Sequence, residues 1–229
     1  MIQPIYVTGG IATGKSTCAR RLRKSLGKRC SRVEWFDADE SVHEILTRPP
    51  IVTRICQLFG DDVLGPDGQL DRPVLRTRVF ADPSLREQLE SLLHPEVYLD
   101  LVKQIKEASQ GDAVGFLIAE IPLYYESNHP SESSTSTNAV AQSEGRKSPP
   151  GLEVVVACSE DLQRRRLKAR GWSEQDADRA IQSQLPVGQK ITWGDRLVWT
   201  AVSVSSTFRQ IERLSESLLA QSHVSPELG

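Results

Sequence analysis

The sequence predicts an α/β fold, with helices on both faces of a parallel five-stranded sheet. Three observations carry that prediction. A glycine-rich turn, Gly9-Gly10-Ile11-Ala12-Thr13-Gly14-Lys15-Ser16-Thr17, follows an apolar run and precedes a segment free of Gly and Pro. Two later runs, residues 113–119 and 154–157, are apolar throughout, as parallel strands covered on both faces must be. Strand-like and helix-like segments alternate between these landmarks, the pattern of α/β rather than all-α or all-β chains.

Size and composition set the frame. The 229 residues, 38% of them hydrophobic, suffice for one substantial core with a small mobile subdomain. A net charge of −2 provides no general attraction to nucleic acid or to a membrane, so neither is expected as a partner. Cys18, Cys30, Cys56 and Cys158 are widely spaced, without a C-x-x-C pair or a zinc-ligand cluster, and are read as reduced thiols. With no signal-like leader and no apolar run of membrane-spanning length, the expected location is the cytoplasm, as a monomer or small homo-oligomer.

The first strand is read at residues 5–7 and the first helix at residues 16–26. The turn between them fits the phosphate-loop pattern G-x-x-x-x-G-K-[ST], placing the chain among P-loop NTPases of three-layer α/β/α architecture. Glycines let backbone N–H groups turn toward phosphate oxygens, and the helix N-terminus adds positive potential. Lys15 reaches the outer phosphates, and Ser16 is placed for a magnesium ion. A nucleoside triphosphate with Mg2+ is the expected ligand. Residues 20–32 are rich in Arg and Lys, read as a solvated helix face whose cations complement the helix C-terminus.

A second strand at residues 33–36 ends in Asp37-Ala38-Asp39, two carboxylates at the strand end where α/β sheets bind ligands. Two short helical segments follow, separated at Pro49-Pro50, then a turn-rich stretch around Gly65-Pro66-Asp67-Gly68. Helices are expected at residues 73–80 and 84–107, the second interrupted or bent near His94-Pro95 because proline removes a backbone donor. The strand at residues 113–119 ends at Glu120, which in the manner of a Walker-B acid supports the magnesium ion through water, unless it is a solvated strand-end acid.

Residues 127–150 change to Ser, Thr, Asn, Glu, Gln and Pro, a composition that cannot bury enough apolar surface to order itself. They are read as a disordered insertion. After the strand at residues 154–157, Ser159 caps a helix with acids in its first turn and five cations beyond. Arg166 and Arg170 share a face of that helix and are candidates to close over a transferring phosphoryl group; the plainer alternative is a solvated basic helix. A second helix over residues 173–185 ends before Pro186. A last strand at residues 197–199 and a closing helix at residues 206–220 follow, the helix burying Phe208, Ile211, Leu214 and Leu218.

Taken together, Thr8-Gly9-Gly10-Ile11, Asp37-Ala38-Asp39, Asp67-Gly68-Gln69-Leu70-Asp71-Arg72, Val79-Phe80, His94-Pro95 and Pro122-Leu123-Tyr124-Tyr125-Glu126 resemble the dephospho-CoA kinase family. A weaker likeness continues through residues 159–170, Gln184 and Lys190. The resemblance implies a nucleoside-monophosphate-kinase-like domain with a helical substrate region at about residues 60–110 and a lid at about residues 159–187. It implies phosphorylation of the ribose 3′-hydroxyl of dephospho-CoA by ATP. Asp39 is then the base, with Lys15 and Arg166 at the transferring group. The nucleotide lies on Gly9, Gly10, Ile11, Ala12, Thr13, Gly14, Lys15, Ser16, Thr17 and Arg170. Mg2+ belongs to Ser16 and Glu120. The acceptor meets Asp39, His43, Arg72, Arg86, His94, Pro122 and Leu123.

Three departures from the family pattern stand out. Ala12 replaces a loop glycine, which requires ordinary backbone angles there. The insertion is foreign to the pattern, and an asparagine expected near the C-terminus is absent from Asp195-Arg196-Leu197-Val198-Trp199-Thr200. Other readings are another small-metabolite or nucleotide kinase, a kinase fold without activity, and a nucleotide-gated switch. The switch rests on Asp62-Val63-Leu64-Gly65, a D-x-x-G pattern with no N-K-x-D motif downstream.

Overall fold

The structure is a computed structural model and describes residues 2–110, 114–128 and 149–222. Five parallel strands form one sheet in the order β2-β3-β1-β4-β5. They are β1 (Ile2–Thr8), β2 (Val33–Asp37), β3 (Gly115–Glu120), β4 (Leu152–Ala157) and β5 (Arg196–Trp199). The sheet is built around β1, which lies between β3 and β4, pairing Val7 with Glu120 and with Val154. Its C-terminal end is thereby placed between two other strand ends, the position a ligand-binding loop needs.

The chain divides into two compact units, one made of the residues before Asp37 and after Lys103, the other of Asp37–Lys103. In the first, alternation along each strand sends Ile5, Val7, Phe116, Ile118, Val154, Val156 and Val198 to a single core. Two helices meet them there. In α1 (Lys15–Leu26) the residues Cys18, Ala19, Leu22 and Leu26 recur at helical spacing, and α10 (Val204–Ser222) contributes Ile211, Leu214 and Leu218. Full burial of a leucine such as Leu26 stabilises the fold by about 1.5–3 kcal/mol. Between the helices Arg21 pairs with Glu212 at 2.6 Å, and Ser25 and Ser215 share a hydrogen bond of 2.7 Å.

Opposite residues of the strands face elsewhere. Tyr6 stacks on Tyr124 of α6 (Tyr124–Asn128) with ring centroids 5.2 Å apart, and Tyr125 meets Trp193 of α9 (Val187–Trp193). Glu153, buried in β4, accepts from Tyr124 Oη at 3.2 Å and Tyr125 Oη at 2.9 Å. Burial, then the bond to Glu153 and its charge, push the Tyr125 hydroxyl above its ordinary range.

The second unit is helical: α2 (Ala38–Ile45), α3 (Pro49–Phe59), a 3-10 turn (Asp61–Val63), α4 (Arg72–Ala81) and most of α5 (Pro83–Ser109). Ile45, Ile51, Ile55, Phe59, Val63, Leu75, Leu92 and Leu93 form its core. Arg48 ties it laterally, pairing with Asp100 at 2.6 Å and Glu96 at 3.2 Å.

Several sequence expectations need correction here. The helix expected to be interrupted or bent near His94-Pro95 is not interrupted: α5 continues through Pro95. Leu92 and Leu93 before the proline are buried, and Glu96 and Asp100 after it are held by Arg48, so one lost backbone bond does not end the helix. Pro49 and Pro50 open α3 rather than merely separating two segments, since the first turn has no intrahelical use for their missing N–H groups. Ser159 stands at the N-cap of α7 (Glu160–Ala169) without a side-chain cap bond, whereas Ser173 caps α8 (Glu174–Gln182) by accepting from Asp176 N. The helix α9 was not expected. The proposed insertion begins inside α6, and its residues 129–148 lie outside the described residues.

Among the basic residues 20–32, Arg20, Arg23, Lys24, Lys28 and Arg29 are exposed, as a solvated face requires. Arg21, Arg29 and Arg32 have carboxylate partners in Glu212, Glu216 and Glu34, and Arg23 lies over the Trp35 ring. A cavity of about 560 Å³ lined by Arg20, Arg23, Lys24 and Lys28 sits by the C-terminal end of α1, away from the glycine-rich loop that opens the helix.

Candidate active site

The loop between β1 and α1 owes its shape to its sequence. A Cβ on Gly9 would lie 2.0 Å from Val156 O, and its φ of +145° is one that side-chain-bearing residues avoid, so only glycine fits. Ala12 has φ 57°, in the left-handed region. The ordinary backbone angles required of it are therefore not present, and the strain is of order 1–2 kcal/mol. Its methyl group is buried against Leu167 of α7 and Ala177 of α8, with Ile11 and Ile181 packed around them, which offsets part of that cost. Gly14 caps α1 without a side-chain bond, leaving the N–H groups of the first turn open toward a ligand.

Lys15 Nζ donates to Gly9 O at 3.1 Å and Gly10 O at 2.7 Å. Burial, then the neighbouring Lys190 cation, push its ammonium down to about 8, against the pull of Glu120 and Glu126. Arg170, exposed beyond α7, adds to the lowering. Ser16 Oγ donates to Glu120 Oε1 at 2.6 Å, joining the helix start to the end of β3. This hydroxyl beside a carboxylate is a pair of hard oxygen donors of the kind Mg2+ takes, chiefly in company with phosphate oxygens. Among the described residues no three His, Cys, Asp or Glu side chains converge as a metal site of their own.

Arg166 is deeply engaged with the loop. Its Nη1 donates to Ala12 O and Thr13 O, each at 3.0 Å, and its Nη2 to Thr200 O at 3.0 Å. Thr200 Oγ1 donates to Thr13 O at 2.6 Å. The C-terminal stretch that lacks the family's asparagine thus has a hydroxyl on the loop. Pro122 and Leu123 form the turn from β3 to α6, and the buried Tyr124 and Tyr125 anchor that turn so that Glu126 meets Lys190. Lys190 is wholly buried, with Nζ 2.5 Å from Glu126 Oε1; this is an ion pair by distance, but its alignment is not that of a hydrogen bond.

In the second unit Asp37 caps α2, accepting from Asp39 N at 3.0 Å and Glu40 N at 3.3 Å. Asp39 is therefore held in the first turn, exposed, with His43 one turn along the same face. Arg72 Nη2 donates to His43 O at 3.1 Å, so Asp39, His43 and Arg72 belong to one neighbourhood of α2 and α4. Arg86 pairs with Glu90 at 2.8 Å on α5, and His94 lies exposed on the same helix. Asp62 of the D-x-x-G pattern sits in the 3-10 turn and pairs with Arg78, rather than ending a strand. Sequence reading missed Gln163 and Thr200, and gave no role to Gln184 and Lys190. The spacing of Gln163 three residues before Arg166, on one helix face, was the available signal; nothing local marks Lys190 for burial.

The sequence model of the dephospho-CoA kinase family matches residues 4–204, from β1 to the start of α10. A dephospho-CoA kinase of Anaeromyxobacter dehalogenans is 36% identical over 218 residues, 93% of this chain and 91% of its own length. One from Methylococcus capsulatus is 32% identical over 220 residues, 94% of this chain and 98% of its own. Among solved structures, a Thermus thermophilus protein is 25% identical with a TM-score of 0.63, covering 98% of each chain. The dephospho-CoA kinase of Campylobacter jejuni is 20% identical with a TM-score of 0.64, covering 97% of this chain and all of its own, a likeness of fold alone. With the family pattern matched along most of its length and relatives above 30% identity spanning nearly all of it, this chain belongs to the dephospho-CoA kinase family.

Proposed function

We propose that this protein transfers the γ-phosphoryl group of ATP to the ribose 3′-hydroxyl of dephospho-CoA, forming coenzyme A and ADP. One observation carries the reading: a complete phosphate loop, with Lys15 and the Ser16–Glu120 pair at its helix end, in a chain of the dephospho-CoA kinase family. Phosphoryl transfer needs positioning and charge neutralisation more than covalent help from the protein. The loop and the first turn of α1 supply N–H donors for the β- and γ-phosphates. Lys15 exchanges its glycine carbonyls for phosphate oxygens, which restores a charged partner to a buried ammonium. Ser16 and Glu120 would hold Mg2+, which would supply neutralisation of the phosphate charge.

Asp39 accepts the proton of the attacking hydroxyl. A carboxylate suits the role because its oxygens can accept that proton. His43, Arg72, Arg86 and His94 bind the acceptor, with Pro122 and Leu123 shaping the turn beside β3. Arg166, whose N–H groups are committed to the loop and Thr200, acts on the transfer through its charge and the loop it holds, and Arg170 supplies an exposed donor. A metabolic kinase of this family would work in the cytoplasm; no helix of the described residues is long and apolar enough to cross a membrane.

Mass analysis of dephospho-CoA incubated with the protein, ATP and Mg2+ tests the reading. A gain of one phosphate on the acceptor with equimolar ADP is expected. ADP release with AMP or shikimate but not with dephospho-CoA would overturn it.

A further inference from the structure

We infer that Gln163 and Gln184, neither of which belongs to the phosphate-loop pattern, are positioning residues that set the loop for its nucleotide. The inference rests on the reading that the loop holds ATP. Gln163 on α7 donates its Nε2 to Ile11 O at 2.6 Å, while Gln184, just beyond α8, accepts from Ile11 N at 2.8 Å. Ile11 is thus gripped at both its backbone groups by side chains from two distant segments.

Its neighbours are held as well. Gly9 O and Gly10 O accept from Lys15, Ala12 O from Arg166, and Thr13 O from both Arg166 and Thr200. Every carbonyl from Gly9 to Thr13 therefore has a side-chain donor. A peptide unit is planar and trans, so its C=O and the N–H of the following residue point in opposite directions. Drawing Ile11 O toward Gln163 turns Ala12 N–H away from α7, and drawing Thr13 O toward Arg166 and Thr200 does the same for Gly14 N–H. Such inward-turned N–H groups make the anion-binding concavity of a phosphate loop. Donors oriented before the ligand arrives cost less to bind with than donors ordered by it.

Two features of Gln163 point past simple packing. It is 1% exposed and leaves its Oε1 without a hydrogen-bond partner, a desolvation cost that an apolar side chain would avoid. A Cβ on Gly10 would lie 2.6 Å from Gln163 Nε2, so the second loop glycine makes room for the amide. Gln184 is fixed in turn, because Leu185 N donates to Glu126 Oε1 at 3.1 Å.

The test uses the full chain with Gln163→Met and Gln184→Met, which keep length and neutrality but lose the hydrogen bonds, and Gln184→Glu, which keeps the acceptor. Affinity for Mg·ADP by calorimetry, KM for ATP and for dephospho-CoA, and exchange of the Ile11 amide in nucleotide-free protein are measured. Each Met variant is expected to weaken nucleotide binding about tenfold, with KM for dephospho-CoA within about twofold of wild type. Ile11 amide exchange should accelerate in Gln184→Met and return toward wild type in Gln184→Glu. Nucleotide affinity within about twofold of wild type in both Met variants, whatever their Tm, would overturn the inference, and Gln184→Met alone suffices should Gln163→Met not fold. A wild-type chain that binds no nucleotide overturns the parent reading and this inference with it.

Discussion

Neutralising Glu126 should cost far more than the loss of a surface ion pair. Lys190 is 0% exposed and Glu126 19%, with Nζ 2.5 Å from Oε1. Exposed pairs contribute about 0–1 kcal/mol, but removing one partner of a buried pair costs about 3–5 kcal/mol because the remaining charge has lost its compensation. Glu126→Gln keeps an acceptor for Leu185 N, so the charge alone is removed. Since water reaches part of Glu126, a loss of about 3 kcal/mol is expected, at the lower end of that range. Lys190→Met leaves behind a carboxylate that still accepts from Leu185 N, and should cost less, about 1–2 kcal/mol. The double variant, with no stranded charge, should be more stable than Glu126→Gln alone. Urea unfolding followed by far-UV dichroism and tryptophan fluorescence measures all three, Trp193 lying on the same helix as Lys190. A loss below about 1 kcal/mol for Glu126→Gln, or a double variant weaker than that single one, would refute the reasoning.

Lys15 makes stability pH-dependent. Its ammonium is lowered from 10.5 to about 8, so the unfolded chain holds more protons between those values, and stability rises with pH across that window. The full penalty is present below about 8, and Lys15→Met should stabilise the nucleotide-free protein by about 1–3 kcal/mol at pH 7, the gain vanishing near pH 10.5; unfolding curves at the two ends of the window check this. Nucleotide phosphates should raise the Lys15 value again, so calorimetry above pH 8 in buffers of differing ionisation enthalpy should show proton uptake on binding. Asp39→Asn should slow turnover by about 10² to 10⁴ with nucleotide affinity kept, and wild-type rates would contradict its role as base. Ala12→Gly relieves left-handed strain but loses a buried methyl and loosens the unfolded chain, so stability should change by less than about 1 kcal/mol. Ala12→Val, β-branched at a φ of 57°, should cost more than about 2 kcal/mol, and a tolerated valine would show that the loop relaxes at that position.

Part of the site was legible because its chemistry is local. Gly9, Gly14, Lys15 and Ser16 are neighbours in sequence, and strand, turn and helix propensities confirm one another around them. The cap that Asp37 places on α2 went unread, although it acts across only two and three residues. Ala12 shows the limit: its identity was noticed, but whether it adopts a left-handed angle depends on Leu167 and Ala177, far along the chain. Arg166 was found as a cation near phosphate chemistry, yet its partners, Ala12 O, Thr13 O and Thr200, are backbone and side-chain groups that no pattern links to it.

By itself the sequence determined the parallel α/β class, the phosphate loop and the order of the elements that carry acids and arginines. Apolar periodicity, glycine and charge at fixed spacing are properties of neighbouring residues. Only the tertiary structure decided that Lys190 is a buried partner of Glu126 rather than a surface lysine, that Thr200 and two glutamines hold the loop, and that α5 runs through Pro95. Those outcomes turn on which groups meet after distant segments pack, where burial removes water and makes each unpaired charge or carbonyl costly.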